Sequence, residues 1–202
     1  MRMTQKLYYD DSGLYQREFD AAVQRQTMQN GKAHVVLDRT LFYPGGGGQP
    51  CDLGTLDGSP VEAVYEHEGE IVHVLGGPLP RDAVHGEIDW PRRFELMQQH
   101  LGQHILSAVF LRDYGLGTVG LRIERDTLSI DLDGYVNEEK VALAEASANE
   151  TIYENVPVEV LFPDLEEIRH NSKRAIPQTE GPIRIVKIGH LDYTPCCGLH
   201  NR

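Results

Sequence analysis

Two residue pairs at the spacing i, i+4 constrain this chain more than anything else in it: His100 and His104 in QQHLGQHILSAVF, and Cys196 and His200 in PCCGLH. On a helix the first spacing puts both imidazoles on one face, about one turn apart. The second pair sits beside Gly198 and just after Pro195, which favours a tight loop. Two helix-borne histidines with a thiolate and a third imidazole from a loop form a ligand set suited to tetrahedral zinc. The plainer reading is a buried cysteine and unrelated surface histidines, but two such pairs in one chain favour the metal. His200 is two residues from the last position and is the ligand with the least framework behind it.

From about residue 20 to 89 the chain reads as short strands: AHVVLD, PVEAVYEHEG, EIVHVL and AVHGEIDW are rich in β-branched residues and separated by Gly, Pro and Asp. That rhythm predicts a small β-barrel or sandwich. Gly45, Gly46, Gly47 and Gly48 interrupt it. They serve either as a tight turn or as a place where backbone N–H groups approach a ligand closely. A P-loop is excluded, because no Lys followed by Ser or Thr comes after them.

Trp90-Pro91 marks a boundary, and a helix from Arg92 to about Arg112 follows, with Phe94, Met97, Leu101, Ile105, Ala108 and Val109 at helical spacing. His100 and His104 flank that stripe and should emerge where the helix meets a sheet. LRIERDTLSIDLDG reads as a pair of strands, and Asn137 as the cap of a long helix with Glu138 and Glu139 in its first turn. VPVEVLF and IRIVKI read as strands around a helical PDLEEIRHNSK. The expected architecture is therefore α+β: an N-terminal small β-barrel domain over residues 1–90, then an α+β domain over 91–202 with helices on a largely antiparallel sheet.

At 202 residues, 40% hydrophobic and 25% charged, the composition is that of a soluble globular protein. No run has the length of a signal peptide core or a membrane span. Three cysteines, two of them adjacent, make no disulfide framework and suit a reduced, cytoplasmic setting. The net charge of −12 argues against generic nucleic-acid binding, which leaves a basic footprint. A local cationic patch is still compatible with it. The candidates are Arg92 with Arg93, Arg122 with Arg125, and Lys173 with Arg174.

HLGQH followed by ILSAVF and a closing CCGLH resembles the editing domain of alanyl-tRNA synthetase and its free-standing AlaX-type relatives. LFYPGGGGQPCDLG is similar to the glycine-rich motif of the small β-barrel preceding that domain, and IRIVKIGHLDYTPCCGLH to the strand that delivers the second ligand pair. With LSIDLDG and VALAEASANETIYENVPV in the right order, the resemblance covers nearly the whole chain. It implies one zinc shared by His100, His104, Cys196 and His200, tRNA as partner, and deacylation of a mischarged aminoacyl-tRNA. The front domain favours the alanyl branch over the threonyl one, which shares the HxxxH and CxxxH plan. The expected activity is thus a zinc-dependent trans-editing hydrolase that removes serine, or glycine, from tRNA for alanine. The alternatives are editing of another tRNA and a structural-zinc module that grips RNA without chemistry.

Leu101 stands where the HExxH peptidases place a general-base glutamate, so peptide hydrolysis is disfavoured. Gln103 takes up no proton; its catalytic use is limited to orienting water or substrate. Asp192, four residues before Cys196, is a candidate to fix a histidine or bind an amino group, a plain surface carboxylate being the alternative. The glycines 45–48 are candidates to bind the acceptor end. The chain departs from the family at Cys197 and Leu199, where Gly and Thr are common, and at Gly120, where a substrate-facing glutamine is common. It stops at HNR, where relatives continue into a further strand. No adenylate-forming or anticodon-reading module fits in this length, so a free-standing editor is expected.

Overall fold

The computed structural model describes residues 3–124, 127–174, 176–178 and 181–202. Its compact units are Met1–Leu96 and Met97–Arg202. The first is made of β1 (Gln5–Lys6), β2 (Glu18–Gln29), β3 (Lys32–Leu37), β4 (Arg39–Thr40), β5 (Gly54–Leu56), β6 (Ser59–His67), β7 (Glu70–Leu75) and β8 (Ala83–Ile88). Six of these strands pair in the order β2-β3-β7-β6-β5-β8, and β8 returns to β2 to close a barrel. Three of its hairpins have two-residue turns: Asn30-Gly31, Asp57-Gly58 and Glu68-Gly69. Both residues of each have positive φ, from 46° to 80°, as a turn matching the right-handed strand twist requires. Alternation along β2 and β8 turns Phe19, Ala21, Val84 and Ile88 inward, where they pack with Val35, Leu37, Phe42 and Ile71.

Among the buried polar side chains of this unit is a histidine. His73 is 0% exposed. Its Nδ1–H donates to the Val35 carbonyl at 3.1 Å, and its Nε2 accepts from the Thr40 hydroxyl at 2.9 Å. Burial pushes its pKa down to about 4, against the Val35 bond, which favours the charged form. A histidine that binds its proton more weakly when folded leaves stability intact above pH 6.5 and removes it as pH falls towards 4. The expected loss across that window is about 3 kcal/mol. Denaturant unfolding of wild type and His73→Gln between pH 8 and 4 checks this: the wild-type advantage should shrink over that window, whereas parallel curves would contradict it.

The helix α1 (Trp90–Tyr114) starts at the expected boundary, with the Asp89 carboxylate accepting from the Arg92 N–H at 3.2 Å. The division between the units nevertheless falls after Leu96, because the first turn of α1 is tied to the first unit. Arg93 is 0% exposed: its Nε donates to Asp52 Oδ2 at 3.0 Å, and its Nη2 reaches Asp52 Oδ2 and the Leu41 carbonyl. Arg93 is therefore not part of a cationic surface. Arg92 is half-buried and donates to the Cys51 carbonyl at 3.2 Å. Arg122 is exposed, and Arg125 lies outside the described residues.

The second unit holds the rest of α1, then β9 (Thr118–Ile123), β10 (Leu128–Leu132), α2 (Glu138–Tyr153), β11 (Val158–Leu161), α3 (Leu165–Asn171), β12 (Ile185–Ile188) and β13 (Asp192–Pro195). β9 pairs antiparallel with β10, and β11-β12-β13 form a three-stranded antiparallel sheet. Among the described residues the fold is mixed α+β, with three α-helices and largely antiparallel pairing. Asn137 caps α2 through the Lys140 N–H at 3.0 Å, and Asp164 caps α3 through the Glu167 N–H at 2.8 Å. Ile105, Val109 and Phe110 of α1 pack with Ala144 and Ala148 of α2 and Val186 and Ile188 of β12. Phe94, the first member of the predicted stripe, is 36% exposed, so the buried stripe begins at Met97. Among the described residues no helix is long and apolar enough to cross a membrane.

Candidate metal centre

α1 presents His100 and His104 side by side, with ring centroids 5.2 Å apart. The chain after β13 turns back to bring Cys196 and His200 against them; the His200 ring lies 4.4 Å from that of His100 and 4.8 Å from that of His104. One donor atom from each of the four residues falls within 4.8 Å of the others. Cys196 Sγ is 3.6 Å from His100 Nε2 and 3.7 Å from His200 Nε2. The three histidines are 1–2% exposed. The sequence pairs thus meet in one cluster that can hold a metal ion, His200 included.

The donor types of the cluster, three imidazoles and a thiol, fit a cation. Burial alone would raise the Cys196 pKa, but the surrounding His100, His104 and His200 hold it well below the usual thiol range, which favours the thiolate form that ligates metals. Burial works to lower the His104 pKa, but bonds to Asp192 and Cys196 lift it to about 9. Burial lowers His200 to about 3, with His104 and His100 adding to the effect and Cys196 opposing it. A buried thiolate beside buried imidazoles is a donor set made for a borderline-soft divalent ion. His200 Nδ1 is buried and has no hydrogen-bond partner among the described residues, so that ring is oriented by packing and by the contact of its Nε2 with Cys196 Sγ.

Asp192 supplies the orienting contact. His104 Nδ1–H donates to Asp192 Oδ2 at 2.7 Å, leaving Nε2 for the cluster, and the Thr194 hydroxyl donates to Asp192 Oδ1 at 2.5 Å. Burial would raise the Asp192 pKa, but the bond to His104, the charges of His104 and Arg174, and Thr194 lower it. Asp192 is thus a buried partner of a cluster histidine and not a surface carboxylate. The loop carrying Cys196 and His200 is braced by Arg184, whose Nη1 donates to the carbonyls of Cys196 at 2.8 Å and Gly198 at 2.9 Å. The Gly198 N–H points at the Cys196 sulfur, 3.4 Å away. Leu199, one of the departures from the family pattern, is 0% exposed, and Cys197 is exposed.

Gln103 is 2% exposed, and its amide donates to Ser107 Oγ at 2.7 Å, which also accepts from the Thr118 hydroxyl at 2.7 Å. Ser107, Thr118, Thr194 and Arg184 carried no sequence signal, since their roles follow from how the chain folds around Gln103, Asp192 and the Cys196 loop. At Gly120 an added Cβ would sit 2.4 Å from Asp131 Oδ2 and 3.2 Å from Asp131 Cβ, so a glutamine there requires Asp131 to move.

Gly45, Gly46, Gly47 and Gly48 lie in the first unit, away from the cluster in sequence. All four have positive φ, from 60° to 139°. Gly46 and Gln49 exchange backbone hydrogen bonds at 3.0 and 3.1 Å, the Tyr43 hydroxyl donates to the Gly46 carbonyl at 3.0 Å, and Gly46 to Gly48 are exposed. The base of the loop is held by Asp52, which accepts from the Tyr43 N–H at 2.6 Å and is gripped by Arg93.

No protein-family model matches the chain. Among individual proteins it is similar to alanyl-tRNA editing protein AlaX-L of Pyrococcus horikoshii, 41% identical over 98% of this chain and 51% of that one. It is 41% identical to alanyl-tRNA editing protein Aarsd1 of Mus musculus, over 83% of this chain and 42% of the relative. With alanyl-tRNA editing protein AlaX-M of Methanosarcina acetivorans it shares 33% identity, over 98% of this chain and 87% of the relative. The chain spans about half the length of AlaX-L and less of Aarsd1, but most of AlaX-M. A likeness this long, running from the strands of the first unit to the cluster, places the chain in the family of alanyl-tRNA editing proteins.

Proposed function

We propose that this protein is a zinc-dependent trans-editing deacylase that removes serine, or glycine, from mischarged tRNA for alanine. The observation that carries the reading is the cluster of His100, His104, Cys196 and His200 in a chain of this family. Zinc, when bound there, supplies Lewis acidity towards a carbonyl or a water. The aminoacyl ester is already activated, so the protein's own work is placement. In this reading Asp192 holds the Nδ1–H of His104 and so fixes the face that the ring offers. Gln103 has no proton to take up and acts by orienting water or substrate. Gly45, Gly46, Gly47 and Gly48 offer backbone N–H groups to the acceptor end. The domain of residues 1–90 then positions tRNA and that of 91–202 carries the chemistry. The free state of Cys51, Cys196 and Cys197 suits a reducing, cytoplasmic setting.

Four protein donors at one centre favour one competing reading, a closed structural zinc in a module that grips RNA without chemistry. Incubation with seryl-tRNA for alanine separates the two. The deacylase is expected to release free serine and to leave correctly charged alanyl-tRNA largely intact; the module would bind and release nothing. Seryl-tRNA for threonine in a parallel reaction tests the threonyl-type alternative.

A further inference from the structure

The second unit contains a cavity of about 260 Å³ whose cationic lining the proposed chemistry does not use. Arg112 in the last turn of α1, Lys173 and Arg174 just after α3, Lys187 on β12 and His190 in the β12–β13 turn line it, with Asp192 in its wall. In a chain of net charge −12 this is an unexpected convergence of four cations and an imidazole on one carboxylate. Two of the cations are partly neutralised: Arg112 by Asp113 at 2.6 Å, and Lys187 by Glu159 at 2.9 Å. Lys173 and Arg174 remain, and both oxygens of Asp192 are already engaged, by His104 and Thr194. At the low end of the roughly 300–1,000 Å³ of small-molecule pockets, the space suits a charged group presented by a larger molecule.

We propose that this pocket takes a backbone phosphate of tRNA near its acylated 3′ end. The proposal rests on the tRNA-editing reading above. Asp192 both lines the pocket and bonds His104, so a phosphate held by Lys173 and Arg174 lies one side chain away from the metal cluster. That is where the phosphates next to the esterified ribose have to be if the ester is to reach the cluster. It also answers the charge objection raised by the sequence: a local basic pocket supplies a footprint within an acidic chain, and the buried Arg93 is no part of it.

The test is the affinity for uncharged tRNA as a function of salt, for wild type and the Lys173→Ala/Arg174→Ala double variant, with metal content and melting temperature measured on the same preparations. Each lost phosphate contact lowers the slope of log K against log salt by about 0.7–0.9. The double variant, having lost that one phosphate contact, should therefore have a slope shallower by about 0.7–0.9 and a clearly weaker affinity at 50 mM salt, with unchanged metal content. Lys173→Glu, at an exposed position, should weaken binding further than Lys173→Ala without unfolding the protein. An unchanged slope in a folded, metal-loaded double variant overturns the proposal, even if wild type deacylates seryl-tRNA. A reduced slope with no deacylation by wild type leaves the pocket standing and removes the editing reading. Titration with inorganic phosphate forms the second arm. Phosphate binding lost in the variant, with tRNA affinity unaltered, would mean a site for the free ion and would also overturn the proposal.

Discussion

Replacing His100 and His104 together by alanine should leave a folded protein that holds no metal and releases no serine from seryl-tRNA. Removing a group that only hydrogen-bonds a metal ligand typically costs about 10–100-fold in metal affinity, and loss of two of four donors must exceed that. Folding should survive because the α1 core contacts are made by Ile105, Val109 and Phe110, not by the imidazoles. The stability cost should be about 1–3 kcal/mol: without His104 the Asp192 carboxylate loses a hydrogen-bond partner and keeps the Thr194 hydroxyl and the nearby charge of Arg174. Asp192→Ala is the informative companion. It leaves all four donors in place and should lower metal affinity by about 10–100-fold while retaining some activity at saturating zinc. Metal analysis after dialysis, with serine release on the same samples, reads both outcomes. Full zinc occupancy in the double variant would remove this cluster as the metal centre.

The cluster was legible in the sequence because its signal is local. Two pairs at i, i+4 need only a helix and a turn to place their donors, and the pattern of the helix is strong from Met97 to Val109. What stayed hidden depends on residues far apart in the chain. Arg184 reads as one polar residue in an apolar strand, and only the return of the loop to its side reveals two carbonyls within reach. Lys173 and Arg174 look like any solvated pair until Arg112 and Lys187 are placed beside them. Arg92 and Arg93 are indistinguishable as letters, yet a helix turns one towards Cys51 and the other into full burial on Asp52, and nothing nearby in the sequence names that partner.

Arg93→Met should be among the most destabilising single substitutions in the first unit. Arg93 and Asp52 are 0% and 1% exposed, so truncating the guanidinium leaves a buried carboxylate with the Tyr43 N–H as its remaining partner. Breaking one side of such a pair costs about 3–5 kcal/mol, because the surviving charge has no water to return to. For a unit of this size each kcal/mol moves the melting temperature by about 4–8 °C, so a fall of roughly 15 °C or more is expected. Removing both charges is a different experiment: Arg93→Met/Asp52→Leu replaces an ion pair by apolar groups and should recover much of the loss. A double-mutant cycle in denaturant gives the coupling directly. The glycine-rich loop adds a second readout, since Asp52 holds the strand that leads into it through Tyr43. If that loop positions the acceptor end, the double variant should melt near the wild-type temperature and still deacylate more slowly, with metal content unchanged. The salt slope of tRNA binding should stay at the wild-type value in both variants, because a guanidinium sealed against Asp52 and the Leu41 carbonyl releases no counterion from RNA. A shallower slope in Arg93→Met, in protein shown to be folded, would return Arg93 to the binding surface and contradict its burial.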